Sequence, residues 1–121
     1  MLLVVLLFGM PGHVVGVEIS EIMAKNESTL MTVAGDYADW IEIHNDSGEA
    51  VDLAGWYLTD DAGDLRKWQF PSTAATSPLP AGGYLVVFAD DSEDAVVGGE
   101  VHANFKLASG GGVSCIGRAG R

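Results

Sequence analysis

The side chains able to do chemistry concentrate in one stretch. Asp39, Glu42, His44 and Asp46 all fall within DWIEIHND. A carboxylate beside an imidazole can orient the ring and share a proton with it, which is the raw material of general acid–base catalysis. Glu42 and His44 stand two apart, so on a β-strand they share a face. With Asp60 as a further ligand or base they compose a small metal-assisted hydrolase. No nucleophile motif of the G-x-S-x-G kind accompanies them. The same residues also read as the polar side of a half-exposed strand, and that reading weighs more.

Metal chemistry has a second candidate. TDDAGD places Asp60, Asp61 and Asp64 around a glycine turn, and ADDSEDAVVGGE brings Asp90 and Asp91 together with Glu93 and Asp94. Flexible, oxygen-rich loops suit Ca²⁺. Asp60, Asp61, Asp64, Asp90 and Asp91 are therefore the candidate calcium ligands, although neither loop follows EF-hand spacing. Solvated surface is the competing reading. His13, His44 and His102 are scattered and lack H-x-x-x-H spacing. The single cysteine, Cys115, excludes an intrachain disulfide and a four-thiolate zinc site. No other cofactor is expected.

The elements that must position these groups come next. The chain of 121 residues is long enough for one domain with one core. Its 17 acidic and 6 basic residues give a net charge of −11, which repels nucleic acid and anionic lipid. Leu2–Phe8 is a continuous apolar run, broken by Gly9 and Pro11 and followed by the small pair Val14 and Gly16. Residues 1–16 read as a signal peptide, with a buried N-terminal strand as the alternative. The run is too short to span a bilayer, so no membrane span is expected once it is cleaved.

After it, short β-type runs alternate with turn residues. Strands are expected over Val17–Met23, Trp40–His44, Ala50–Leu53, Trp56–Thr59, Arg66–Phe70, Tyr84–Ala89 and Asn104–Leu107. In the second of these Ile41 and Ile43 point one way, and Trp40, Glu42 and His44 the other. Trp68 and Phe70 share a face, and Tyr84–Ala89 reads as buried on both faces. NDSGE is a turn and DDSEDAVVGGE a solvated acidic loop. The sequons at Asn26 and Asn45 mark expected loop positions. Trp40, Trp56 and Trp68 read as core residues, each indole N–H needing a partner. No stretch keeps a helical period, so the fold class is all-β, a sandwich or open barrel.

Several of these stretches together resemble a known family. ISEIMAKNEST, GDYADWIEIHN, VDLAGWYLTDD, KWQFP, LPAGGYLVVFA and NFKLASGG follow, in order, the pattern of the lamin tail domain in its bacterial, secreted form. The resemblance implies an immunoglobulin-like β-sandwich over residues 17–111. It also implies a non-enzymatic accessory module of exported proteins, with no catalytic residues to carry over. Residues 112–121 depart from the pattern. They are glycine-rich and carry Arg118 and Arg121, as in a truncated or frame-shifted end. A weak strand over Val113–Ile116, or none, would close the sandwich, and a missing one would open an edge to another chain.

The leading expectation is thus an exported or cell-surface interaction module that binds a protein, a surface polymer or a carbohydrate. A calcium-dependent structural or adhesion domain is the alternative, and the hydrolase ranks third.

Overall fold

The computed structural model describes residues 3–7, 16–24, 27–28, 30–61, 63–64, 66–107 and 112–117, with the backbone alone for 3–7 and 112–117. Its strands are β1 (Leu3–Leu7), β2 (Val17–Met23), β3 (Asp39–Asn45), β4 (Tyr57–Thr59), β5 (Trp68–Gln69), β6 (Tyr84–Ala89), β7 (Val96–Val97), β8 (Glu100–Ala103) and β9 (Gly112–Gly117). They form two sheets. The larger has the order β2-β3-β6-β8-β7 and the smaller β1-β9-β4-β5. Among the described residues no helix is long and apolar enough to cross a membrane.

Alternation decides what lies between the sheets. Ile41 and Ile43 of β3, Leu85, Val87 and Ala89 of β6, and Val101 and Ala103 of β8 all face the core. They meet Leu58 and Trp68 from the smaller sheet, with Trp56 and Phe70 flanking its strands and Leu53, Leu79 and Phe105 from the connections. Trp68 and Phe70 share a face as expected, with ring centroids 4.9 Å apart. Each fully buried aliphatic side chain here contributes about 1.5–3 kcal/mol relative to exposure.

Asn45 ends β3 and is fully buried. Its Nδ2 donates to the carbonyls of Glu49 at 2.8 Å, Leu79 at 3.0 Å and Pro80 at 3.1 Å. Its Oδ1 accepts from the Ser47 N–H at 3.0 Å and the Ser47 hydroxyl at 2.6 Å. The backbone adds Asn45 N–H to Gly83 O at 2.9 Å and Gly82 N–H to Asn45 O at 2.7 Å. One side chain thus builds the NDSGE turn and pins the Leu79–Gly83 loop beside it. Gly16 docks on the same turn, where its carbonyl accepts from Asp46 N–H. A Cβ on Gly16 would sit 2.7 Å from the Ser47 nitrogen, so only glycine fits.

Three differences from the expected elements have physical causes. Ala50–Leu53 is not a strand. It holds only a bridge from Val51 to Leu79 before the Leu53–Trp56 turn, with Gly55 at φ 86. The acidic stretch Asp90–Gly99, expected as a solvated loop, contains β7 and leads into β8. Gly98 and Gly99, at φ 57 and 85, form the two-residue hairpin between them. The last short strand is accordingly Glu100–Ala103, four residues before the expected Asn104–Leu107, though Phe105 and Leu107 still pack on the core.

The closing strand is present. β9 runs antiparallel to β4, with Tyr57 opposite Gly117 and Thr59 opposite Cys115, so the β4 edge is covered. β1 runs parallel to β9, from Leu3 opposite Gly112 to Leu7 opposite Ile116. At the far side of the larger sheet, β2 is an outer strand. A register shift between Ile19 and Glu21 and the acids Glu18 and Glu21 blunt it against further pairing.

Replacing Asn45 with alanine is expected to lower the unfolding free energy by about 3 kcal/mol, because buried carbonyls lose their donor. Urea denaturation measures it. A loss under about 1 kcal/mol would show that the turn holds without the amide.

Candidate functional site on the outer face of the larger sheet

The face of the larger sheet turned away from the core carries most of the groups singled out by sequence. Its cross-strand rows follow from the register. Glu18, His44 and Tyr84 form one row, Glu21, Glu42 and Val86 the next, and Met23, Trp40, Phe88 and His102 a third.

The first two rows are the wet end. Glu42 and His44 share a face as expected, but each holds another partner. Glu42 Oε1 accepts from the Ser20 hydroxyl at 2.8 Å. His44 Nδ1 lies 3.3 Å from Glu18 Oε2, and its ring stacks on Tyr84 with centroids 4.2 Å apart and planes 13° apart. Asp60, the third member of the hydrolase reading, follows β4 in the other sheet and pairs with Lys67 Nζ at 2.8 Å. Asp46 is exposed in the turn beyond β3.

The third row is dry, although it lies on the outer face. Trp40 is 5% exposed, Phe88 5% and His102 4%, so something covers them. The connection from β2 to β3 reaches across this end. Val33 N–H donates to Glu100 Oε1 at 3.0 Å, and a Cβ on Gly98 would sit 2.9 Å from Val33 Cγ2. Within the connection, Met31 pairs with Tyr37. Thr32 N–H donates to Asp36 O at 2.8 Å, and Gly35, at φ 89, closes the turn.

His102 is the polar centre of the dry end. Its Nδ1 lies 2.8 Å from Asp90 Oδ2 and its Nε2 3.2 Å from Glu100 Oε1. Phe88 stacks on the ring at 5.4 Å. The imidazole therefore joins the start of the acidic loop to β8, while Glu100 passes the connection on to Val33. Sequence reading missed this cluster. Its signal was the alternation of Glu100 and His102 with the core residues Val101 and Ala103.

Beside it opens a cleft of about 300 Å³ lined by Asp36, Tyr37, Ala38, Asp39, Ala89, Asp90 and Lys106. Asp90 Oδ1 is buried and has no hydrogen-bond partner. Asp91, at φ 56, turns the chain away, and its N–H donates to Phe105 O at 3.2 Å.

The other candidate calcium ligands are engaged locally. Asp61 Oδ1 accepts from Gly63 N–H at 2.8 Å, and Asp64 Oδ1 from Arg66 N–H at 3.3 Å. Among the described residues no three His, Cys, Asp or Glu side chains are arranged to hold a metal ion. Asn45, read as a sequon position in a loop, is a buried strand end. Asn26 and His13 lie outside the described residues.

Asp60 raises the Lys67 pKa above its ordinary 10.5, first through their hydrogen bond. Burial opposes the shift, and the charges of Asp60, Asp61 and Asp64 add to it. A raised lysine pKa contributes stability that is present below the unfolded value and lost as pH climbs through the folded one. Lys67→Met should therefore be less stable than the parent at pH 8, the two converging above pH about 10.5. Urea titrations across that range check it. His102→Leu removes the ring between Asp90 and Glu100 and should cost about 2 kcal/mol. It should also speed hydrogen exchange at the Val33 amide, which unaltered exchange there would refute.

Among curated proteins no match is found, and among solved structures none. The family model described as "Lamin Tail Domain" matches residues 13–116. That span takes in β2 to β8 and most of β9, the two-sheet sandwich together with the dry cluster and the cleft. The chain belongs to the lamin tail domain family.

Proposed function

We propose that this lamin tail domain is a non-enzymatic interaction module, exported or held at the surface of a bacterial cell as an accessory part of a larger protein. The family is an immunoglobulin-like one, consistent with an interaction role. The observation that carries the reading is where the exposed apolar side chains stand. Leu30, Met31, Val33 and Tyr37 lie on the single β2–β3 connection, at 39%, 51%, 59% and 47% exposure. Val96, at 42%, stands on the hairpin whose Gly98 meets Val33. Tyr84 stands apart beside His44 at the other end of the sheet, and the remaining exposed apolar side chains gather on one flank of an otherwise acidic domain, which marks a place where something binds. The separate engagements of Glu42, His44 and Asp60 supply no competing catalytic unit.

Export is supported by the Leu2–Phe8 run, by the breakers Gly9 and Pro11, and by the small residues before Val17, and cleavage there would remove β1 from its pairing with β9. Mass spectrometry of the exported protein should find an N-terminus at Val17. An intact Met1 there would end the signal-peptide reading.

Cross-linking on intact cells, followed by mass spectrometry, tests the module itself. Cross-links from the Leu30–Tyr37 connection to another chain or to surface polymer are expected, unchanged in Glu42→Gln and His44→Ala. A hydrolytic turnover abolished by those two variants without unfolding would overturn the reading.

A further inference from the structure

We propose that His102 is a proton-operated latch on the β2–β3 connection. In its charged form the ring holds the connection through Glu100, and the loss of one proton loosens it. The proposal rests on the interaction-module reading and names what regulates its exposed apolar flank.

The contacts of the ring carry the argument. Both nitrogens of His102 meet a carboxylate oxygen, Nδ1 with Asp90 Oδ2 at 2.8 Å and Nε2 with Glu100 Oε1 at 3.2 Å. An ionised carboxylate only accepts, and a neutral imidazole has a single N–H to donate. A neutral ring between two carboxylates therefore sets one nitrogen lone pair against an oxygen lone pair. The imidazolium satisfies both contacts at once, as two charge-assisted hydrogen bonds. The ring is buried, so water has little access to replace either acid.

The two contacts differ in what they hold. Asp90 is the closer partner, on the shorter side chain. Glu100 is longer and partly exposed, so it is the one free to turn toward solvent. A neutral ring keeps its proton on Nδ1 toward Asp90 and gives up Glu100. Glu100 Oε1 is also the acceptor of the Val33 N–H, at 3.0 Å. Val33 sits within the Leu30–Tyr37 stretch that carries the exposed apolar side chains. That stretch has internal ties of its own, the Met31–Tyr37 bridge and Thr32 N–H to Asp36 O. Losing the Glu100 contact thus opens the connection locally and leaves its hairpin intact.

Other charged groups surround the latch. Asp36, Tyr37, Asp39 and Lys106 line the cleft with Asp90, and Asp94 precedes Ala95, whose carbonyl accepts the His102 N–H. The three aspartates attract a cationic ring and Lys106 repels it. The other described imidazole, His44, lies at the far end of the sheet with Glu18 and Tyr84.

The full chain, isotope-labelled, is followed by NMR from about pH 5 to about pH 9, a span that covers ordinary histidine titration. Ring nitrogen shifts should show both nitrogens of His102 protonated at the acid end. As the ring loses one proton, the protection factor of the Val33 amide should fall about tenfold, the loss of one hydrogen bond to a charged group. Protection at Ile43, in the core of β3, should not follow it. The fall should persist in His44→Ala and vanish in His102→Gln, which has no charge to lose. It should vanish also in Glu100→Gln, whose neutral amide suits either state of the ring. Photo-cross-linking from the connection should be stronger at the acid end, since an ordered segment loses less freedom on binding.

A His102 ring that is neutral throughout would place the proton on a carboxyl and overturn the proposal. So would Val33 protection that ignores the charge on the ring, or equal falls at Val33 and Ile43. Cross-links to a partner with unresponsive Val33 protection would end the latch and leave the module reading standing. Ring-linked loosening with no cross-links at either pH would end the module reading and the regulatory role with it.

Discussion

Everything on the outer face depends on how β3 is held at its end. Asn45 is buried there, and its amide is spent on three carbonyls and two donors from the turn and the Leu79–Gly83 loop. That network fixes where β3 stops and hence its register against β6, with His44 opposite Tyr84 and Trp40 opposite Phe88. A slip of one residue would send Ile41 and Ile43 out to solvent and bring Glu42 and His44 into the core. That exchange of faces, together with the cost of leaving a buried amide unpaired, makes the slip unfavourable.

With the register set, the face divides by what covers it. Toward the Asn45 end the exposed Tyr84 ring stacks on His44, and Glu42 and His44 take polar neighbours along the same surface. Toward the other end the β2–β3 connection reaches Glu100 and Gly98, and Trp40, Phe88 and His102 are buried there. Burial favours pairing, and Asp90 and Glu100 flank the imidazole, while Trp40 Nε1 and Asp90 Oδ1 in the same cluster stay without a partner. The connection beside this cluster presents its own apolar side chains outward, next to a cleft with three acidic residues among the seven that line it. Core, cover and exposed strip are thus three layers of one arrangement, and the function proposed for the domain lies in the outermost.

Elements with strong alternation were readable in the chain. β3 and β6 carry β-branched or aromatic residues at every second place, β2 does so until its register shift after Ile19, and turn residues bound them. The β7–β8 hairpin was not readable, because its acids and glycines look like a solvated loop. Only the Gly98-Gly99 pair and the alternation around His102 marked it. Ala50–Leu53 alternates as a strand does, yet the Leu79 loop takes its single bridge and the turn at Gly55 ends it. Asn45 looked like a surface turn residue because asparagine usually is one. Its burial comes from the loop thirty-odd positions away that lies against it.

The sequence by itself determined the class of fold and the family, since both are written in local pattern: period-two alternation, turn residues, and the order of WIEIHN, LAGWYLTDD and GGYLVVFA. It also showed which face of β3 would hold the core. Tertiary structure alone decided who meets whom. Glu42 was two residues from His44, yet His44 took Glu18 and Glu42 took Ser20. His102 looked isolated until the strand order β6-β8 brought Asp90 to it. Partners so far apart in the chain depend on register and on cover, and these arise only when the sheets pack.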